Sequence, residues 1–341
     1  MAITYSPLHI RGVAAEPVIE EILFENLTVQ NNLVSFETDI KAETIFTEAT
    51  AAATMQAYTS GVPTSNGDLG AFDTVVTPVK VQYYQEFDPN ALRFSRFKRD
   101  MRPGAYEVIS EEFNRVVIGG LYAKEISGDM ESKFWNNALA ATKTAVAALT
   151  AGTGQSSVGA AEKTLVAATT AGLFDGIVTR MIYNSSNAAG TAGVGGRVKV
   201  AGTTIDSSNI KSEYDKIYAA IPAAVLSGNT TPPYIYAPRS HKQLINIYNN
   251  NPANYKDAFS VSEDKTQYFF NGVEIVFVPL PENVVIAAKK EHLFWCTDLQ
   301  ADMQRIDMDK IAANRDDMFL KTNATITTHV ANQAFNVLYV G

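Results

Sequence analysis

The chain has 341 residues, 46% of them hydrophobic and 19% charged, which suits one complex domain or two ordinary ones and excludes a wholly disordered chain. Acidic side chains number 36 against 28 basic, a net charge of −8, and this argues against a general polyanion-binding protein. A single cysteine, Cys296, excludes a disulfide framework and any Cys-rich metal site within one chain.

Residues 1–12 carry no basic leader followed by an apolar run, so they do not read as a signal peptide. The longest uncharged stretch, 217–238, contains Pro222, Pro232 and Pro233 and is no membrane span. These features read as a soluble chain made in a reducing compartment. Charge is uneven along it. Residues 1–92 hold 12 acidic and 3 basic side chains, a balance of −9, whereas residues 93–102 hold five basic and one acidic, a balance of +4. An acidic quarter followed by a short basic patch is the main electrostatic feature.

In chain order, the first 32 residues predict an extended arm with one short helix over 17–24. Val34, Phe36, Thr38 and Ile40 alternate with Ser35, Glu37 and Asp39, the period of a half-buried strand. Residues 74–87 are rich in Val, Tyr and Thr, and the intervening 58–72 holds Gly61, Pro63, Asn66-Gly67 and Gly70, a turn-rich tip. The simplest reading is one long β-hairpin over 33–88, which must lie on something else because an isolated hairpin buries no core.

After Pro103-Gly104, Ile109, Phe113, Val116, Val117, Leu121, Ile126, Met130 and Phe134 recur at helical spacing, predicting an amphipathic helix of about 30 residues. Residues 141–200 turn Ala/Gly/Thr-rich and open a second compact unit, about 140–265. It has helices over 173–183 and 211–226, loops over 152–159 and 184–196, and a strand at 234–237 feeding a helix at 241–248. The last third is β-rich, with runs at 273–278, 284–288, 292–297, 303–308, 318–330 and 335–340.

Chemistry-bearing motifs are absent. There is no phosphate-cradling Walker loop, no Gly-x-Ser-x-Gly elbow, no His-Glu-x-x-His and no Asp-x-Asp-x-Asp-Gly calcium loop. Gly193, Gly195 and Gly196 have the wrong spacing for a dinucleotide fingerprint and read as loop. Ser240 beside His241 forms no nucleophilic pair by adjacency alone; Ser240 reads as the N-cap of the next helix. His9, His241, His292 and His329 show no ligand spacing and read as surface or half-buried packing residues. Glu111, Glu112, Asp129 and Glu131 read as the solvated face of the long helix. Asp298, Asp302, Asp307, Asp309, Asp316 and Asp317 read as turns or intersubunit ion pairs. No catalytic residue, metal or cofactor is assigned.

The basic patch Arg93, Arg96, Lys98, Arg99 and Arg102 is interleaved with Phe94 and Phe97. Such runs can hold single-stranded nucleic acid. The acidic quarter of the same chain favours an ion-pairing surface instead, with a plain solvated face as the third reading. The candidate acidic partners are Glu37, Asp39, Glu43, Glu48, Asp68 and Asp73.

The order of parts, together with PYIYAPRSHKQL at 233–244, FNGVEIVFVPLP at 270–281 and VVIAAKKEHLFWCTD at 284–298, resembles the major capsid protein of tailed phages, the Hong Kong 97-type fold. The resemblance implies an α+β chain with an N-arm (1–32), an E-loop hairpin (33–88) and a peripheral-domain segment with the basic patch and spine helix (89–140). A mixed α/β axial domain (141–265) and a return to the peripheral β-sheet (266–341) follow. It further implies a non-enzymatic subunit, found in the virion capsid and assembled in the host bacterial cytoplasm, that forms hexamers and pentamers of an icosahedral shell around double-stranded DNA. That shell would enclose the DNA without sequence-specific binding. The implied partners are other copies of the chain, a portal protein, and separate scaffolding and decoration proteins. A hairpin starting near residue 33 leaves no room for a long scaffolding extension. Lys41 and Lys80 lie in the E-loop, but no motif assigns a crosslink. An encapsulin-type nanocompartment shell is the alternative, and a hydrolase using Ser240 or His241 is the reading from another class.

Overall fold

The computed structural model describes residues 9–11, 28, 31–53, 55–58, 60–62, 64, 67–88, 122–184, 196–226, 231–251, 258–264, 266–298, 305–311 and 317–341. The expected short helix at 17–24, the basic patch and the first half of the expected long helix lie outside these residues.

Two large sheets organise the described residues, beside a two-stranded ribbon and a short parallel pair, β6 (Ala138–Leu139) with β7 (Ala171–Gly172). The first has six strands: β1 (His9–Arg11), β2 (Ser35–Glu37), β5 (Val79–Phe87), β14 (Leu293–Thr297), β15 (Arg305–Lys310) and β16 (Met318–Val330). β16 is its spine, antiparallel to β5, β14 and β15, while β2 runs parallel to β14. Buried and half-buried residues alternate along the first half of β16, Met318 to Asn323, and everything from Ala324 onward is buried. The pattern changes because α4 (Ile177–Asn184) packs on this strand and a hairpin, described below, seats on its end.

The second sheet has seven strands in the order β10 (Phe259–Val261), β11 (Tyr268–Phe270), β12 (Val273–Val278), β9 (Tyr234–Pro238), β13 (Val284–Ala288), β17 (Val337–Val340) and β8 (Val198–Ala201). β13 reads Val-Val-Ile-Ala-Ala because both of its faces are covered. Val284, Ile286 and Ala288 point into one core, and Val285 and Ala287 into the other. The second core lies under α5 (Ile210–Ala220) and α7 (Arg239–Asn250), which bury Ile210, Tyr214, Ile217, Ile245 and Tyr248 at helical spacing. The first core gathers Phe134 and Trp135 from α1 (Ala123–Trp135), Ile177 and Met181 from α4, and Trp295, with the Trp295 and Phe134 rings stacked at 4.6 Å. Asn271 and Gly272, at φ 47° and 85°, make the two-residue turn between β11 and β12 that an Asn-Gly pair predicts.

Several expectations need correction. The paired hairpin is narrower than 33–88. It consists of β3 (Thr44–Ala53) and β4 (Gly67–Val76), and the flanking β2 and β5 belong to the six-stranded sheet. The boundary at 265 does not hold either, since β12, β13 and β17 join the sheet that contains β8 and β9. Conversely, α2 (Ala140–Ala148), α3 (Ala160–Ala168) and α4 place Val146, Val166 and Met181 in the first core. Strand period identifies a strand but not the sheet it will join. The helix expected over 211–226 is split: α5 ends at Ala220, Ile221 is extended before Pro222, and a short α6 (Ala223–Leu226) resumes. Pro238, not Ser240, occupies the N-cap of α7, and the helix starts at Arg239 with no side-chain cap.

Candidate assembly interface

A two-stranded ribbon cannot bury both of its faces. β3 and β4 pair over ten positions, from Thr44 opposite Val76 to Ala53 opposite Gly67. On one face, at the base, Phe46 and Val76 turn toward the body. On the other, Ile45 and Val75 are cross-strand neighbours left 60% and 49% exposed. Beyond the paired strands, Met55, Tyr58 and Val62 are almost fully exposed. Large exposed apolar side chains of this kind make the ribbon a candidate interaction surface.

The base is seated on the end of β16. The Phe46 ring stacks on the His329 imidazole at 4.6 Å and lies 5.6 Å from the Phe294 ring. Glu48 Oε2 accepts the Asn332 backbone N–H at 2.9 Å, and its other oxygen lies 3.8 Å from His329 Nε2. Burial raises the Glu48 carboxyl above the ordinary carboxylate range and holds the His329 imidazole down at about 3, with the Arg180 guanidinium adding to the second effect.

The acidic candidates separate. Glu37 and Glu43 are exposed. Asp39, at φ 69°, pairs with Lys41 at 3.1 Å, and Asp73 accepts a hydrogen bond from Thr47 Oγ1 at 2.7 Å. Asp68 stands opposite Ala52 in the ribbon ladder. Glu48 is corrected: it turns inward and accepts the Asn332 N–H of its own chain, a contact across 284 positions that only the tertiary structure discloses. Arg93, Arg96, Lys98, Arg99 and Arg102 lie outside the described residues.

A second anchor was missed. Glu131, expected on a solvated helix face, is buried. Its Oε1 accepts both the backbone N–H and the hydroxyl of Thr28, at 3.0 and 2.6 Å, and its Oε2 accepts Arg239 at 3.0 Å. Trp135 Nε1–H donates to Thr28 Oγ1 at 3.0 Å, and the Tyr236 hydroxyl donates to the Leu33 carbonyl at 2.6 Å. One signal was present: Glu131 stands four residues before Trp135, on the edge of the apolar stripe.

The histidines are corrected too. His241, His292 and His329 are buried rather than surface or half-buried. His241 Nδ1 bonds the Tyr214 hydroxyl at 3.0 Å, burial lowers its pKa to about 4, and neighbouring Ser240 is exposed. His292 Nδ1 bonds Asn336 Oδ1 at 2.8 Å. Asp298, expected at a solvated turn, is also buried. Among the described residues no group of three His, Cys, Asp or Glu side chains could hold a metal ion, and no helix is long and apolar enough to cross a membrane.

Comparison of the backbone with known structures settles the architecture. A capsid chain of the native GTA particle superposes with a TM-score of 0.56 at 11% identity, over 100% of this chain and 96% of its own. A chain of the satellite phage P4 procapsid, which includes a size determination protein, gives 0.53 at 13% identity over 98% and 91%. The chain has a capsid fold. The capsid of the empty GTA particle gives 0.51 at 10% identity over 100% and 95%. No family model and no curated protein matches the sequence. At such low identity the likeness lies in the backbone path and hardly at all in the sequence.

Proposed function

We propose that the chain is a major capsid protein whose copies assemble into the icosahedral shell around phage DNA. The observation that carries this reading is the β3–β4 ribbon on a chain with a capsid fold. Its base is fixed by Phe46 and Glu48, while Ile45, Val75, Met55, Tyr58 and Val62 are left exposed by the described residues. A neighbouring copy laid under the ribbon supplies the missing burial, so stability and assembly are linked by mass action.

The subunit acts as building material and not as an enzyme. Its buried histidines are neutral packing groups, and no nucleophile is paired with a base among the residues described above. The net charge of −8 leaves packaged DNA free to slide. Hexamers and pentamers of the chain, a portal protein, and separate scaffolding and decoration proteins complete the particle, which forms in the host bacterial cytoplasm. Contacts between copies pair Glu37, Asp39, Glu43, Asp68 and Asp73 of one subunit with Arg93, Arg96, Lys98, Arg99 and Arg102 of the next.

Negative-stain microscopy of the purified chain, alone and coexpressed with the scaffolding protein of its own gene cluster, tests the reading. Closed shells of uniform size are expected. A chain that stays monomeric under both conditions overturns it.

A further inference from the structure

Residues 140–152 and 160–172 carry one pattern twice, Ala-Ala-x-Lys-Thr-x-Val-Ala-Ala-x-Thr-Ala-Gly, with ten of the thirteen positions identical. The fold treats the two copies of the pattern alike. α2 and α3 occupy the same nine positions of each, and Val146 and Val166 are both buried. The Thr144 and Thr164 hydroxyls donate to the Ala140 and Ala160 carbonyls, both at 3.0 Å. The lysines cross over. Lys143 Nζ donates to the Thr169 carbonyl at 2.5 Å and Lys163 Nζ to the Leu149 carbonyl at 2.6 Å, so each helix satisfies a carbonyl at the end of the other. β6 with β7 joins the start of the first unit to the end of the second. The Gly152 N–H, donating to the Val158 carbonyl at 2.9 Å, joins the end of the first to the start of the second. The result is a closed clasp whose contacts are related by an approximate two-fold.

The clasp holds its own linker, residues 153–157, against β8. That strand ends the seven-stranded sheet and pairs with β17 alone among the described residues. The Val198 and Gly202 N–H groups donate to the Asn336 and Val340 carbonyls on the β17 side, so by alternation Lys199 and Ala201 turn their backbone groups to the open edge. At Lys199 a side chain fills that edge. Gln155 Oε1 accepts the Lys199 N–H at 2.5 Å, and Gln155 Nε2–H donates to the Lys199 carbonyl at 3.3 Å. These are the two bonds that a residue of a further antiparallel strand would make.

We propose that Gln155 is an edge guard: its amide stands in the ladder position of an eighth strand and keeps β8 of one copy from pairing with β8 of another. Strand edges commonly escape such pairing by displaying charge, lysine above all. β8 reads Val-Lys-Val-Ala, and its one charged side chain is not on display. Lys199 is 7% exposed, and its Nζ donates to the Gly152 and Ser157 carbonyls at 2.7 and 3.3 Å and lies 3.9 Å from Glu162 Oε2. The lysine that could repel a second edge fastens the linker instead, and protection passes to the exposed Gln155. The strand excluded is that of a second copy, because every copy offers the same edge and two such edges pair antiparallel about a two-fold. The guard acts between any two copies and does not depend on their building shells.

Two variants of the full chain test it. Gln155→Ala removes both bonds and leaves the edge open and uncharged. Gln155→Lys also removes the paired amide but places a charge on the edge. Hydrogen exchange read by mass spectrometry and light scattering are followed over a concentration series. In dilute solution the Lys199 amide should exchange about tenfold faster or more in both variants. The Ala variant should associate at a protein concentration at least tenfold lower than wild type, and its Lys199 amide should regain protection as it does so. The Lys variant should associate no earlier than wild type. Unchanged Lys199 exchange in dilute solution, an Ala variant that associates no earlier than wild type, or association that leaves the Lys199 amide fast overturns the proposal. So does equal association of the two variants, which would trace the effect to the linker and not to the open edge.

Discussion

The Thr28 hydroxyl donates a 2.6 Å hydrogen bond to Glu131 Oε1 across 103 residues of sequence, inside the protein. This contact fixes where Thr28 meets helix α1, and through Arg239 and Trp135 it reaches both sheets' supporting helices. Replacing Thr28 with Val deprives the buried Glu131 oxygen of its hydroxyl donor and Trp135 of its acceptor. A loss of about 1–3 kcal/mol is expected, read as a lower urea midpoint with an unchanged slope.

Glu162 and Arg197 form a buried ion pair that ties the start of α3 to β8, with Lys199 Nζ 3.9 Å from the same carboxylate. Glu162 Oε2 also accepts the Gly159 N–H at 2.7 Å. Glu162→Ala removes the carboxylate paired with the buried Arg197 guanidinium, and a destabilisation of about 3–5 kcal/mol is expected. Exchanging both residues for apolar ones of similar volume should recover most of it. A double-mutant cycle by chemical denaturation checks both statements.

If the ribbon's apolar residues are covered only by a neighbour, their loss should harm assembly and spare the fold. Met55, Tyr58 and Val62 replaced together by Ser should lower shell yield at least tenfold. The unfolding free energy of the dispersed chain should stay within about 0.5 kcal/mol of wild type. Light scattering and urea titration on the same preparation separate the two effects.

Reversing Arg96 and Arg99 to Glu should reduce assembly, and adding Asp39→Lys and Glu43→Lys should partly restore it. Each exposed pair is worth only about 0–1 kcal/mol, but the contact recurs at every subunit boundary. Normal empty shells from the Glu variant, with a packaging defect and no rescue, would show instead that the patch faces DNA.

Burial keeps His241 neutral down to about pH 4, below its ordinary value of 6.5. Between those values the unfolded chain takes up a proton that the folded chain refuses, so stability is full above about pH 6.5 and falls as the pH drops toward 4. His241→Gln, which preserves a partner for the Tyr214 hydroxyl, should flatten the acid limb by on the order of 2 kcal/mol. Urea midpoints measured across that interval decide it.

Periodicity and turn chemistry made the local elements legible. The runs at 273–278 and 284–288 appear as β12 and β13 with those bounds, and the run at 318–330 appears as β16. Asn271-Gly272 marks its own turn. These are short-range effects, decided by neighbouring side chains and backbone sterics, so the sequence by itself determines them. Which sheet a strand joins, and which carboxylate goes inside, are decided by contacts between residues hundreds of positions apart. Val284 and Val285 carry the same side chain, yet they enter different cores because the sheet passes between them. Glu37 and Glu48 are both acidic residues near the hairpin, yet only Glu48 lands on His329 and Asn332. Burying a carboxylate is unfavourable unless a partner waits for it, and only the tertiary structure assembles the partner.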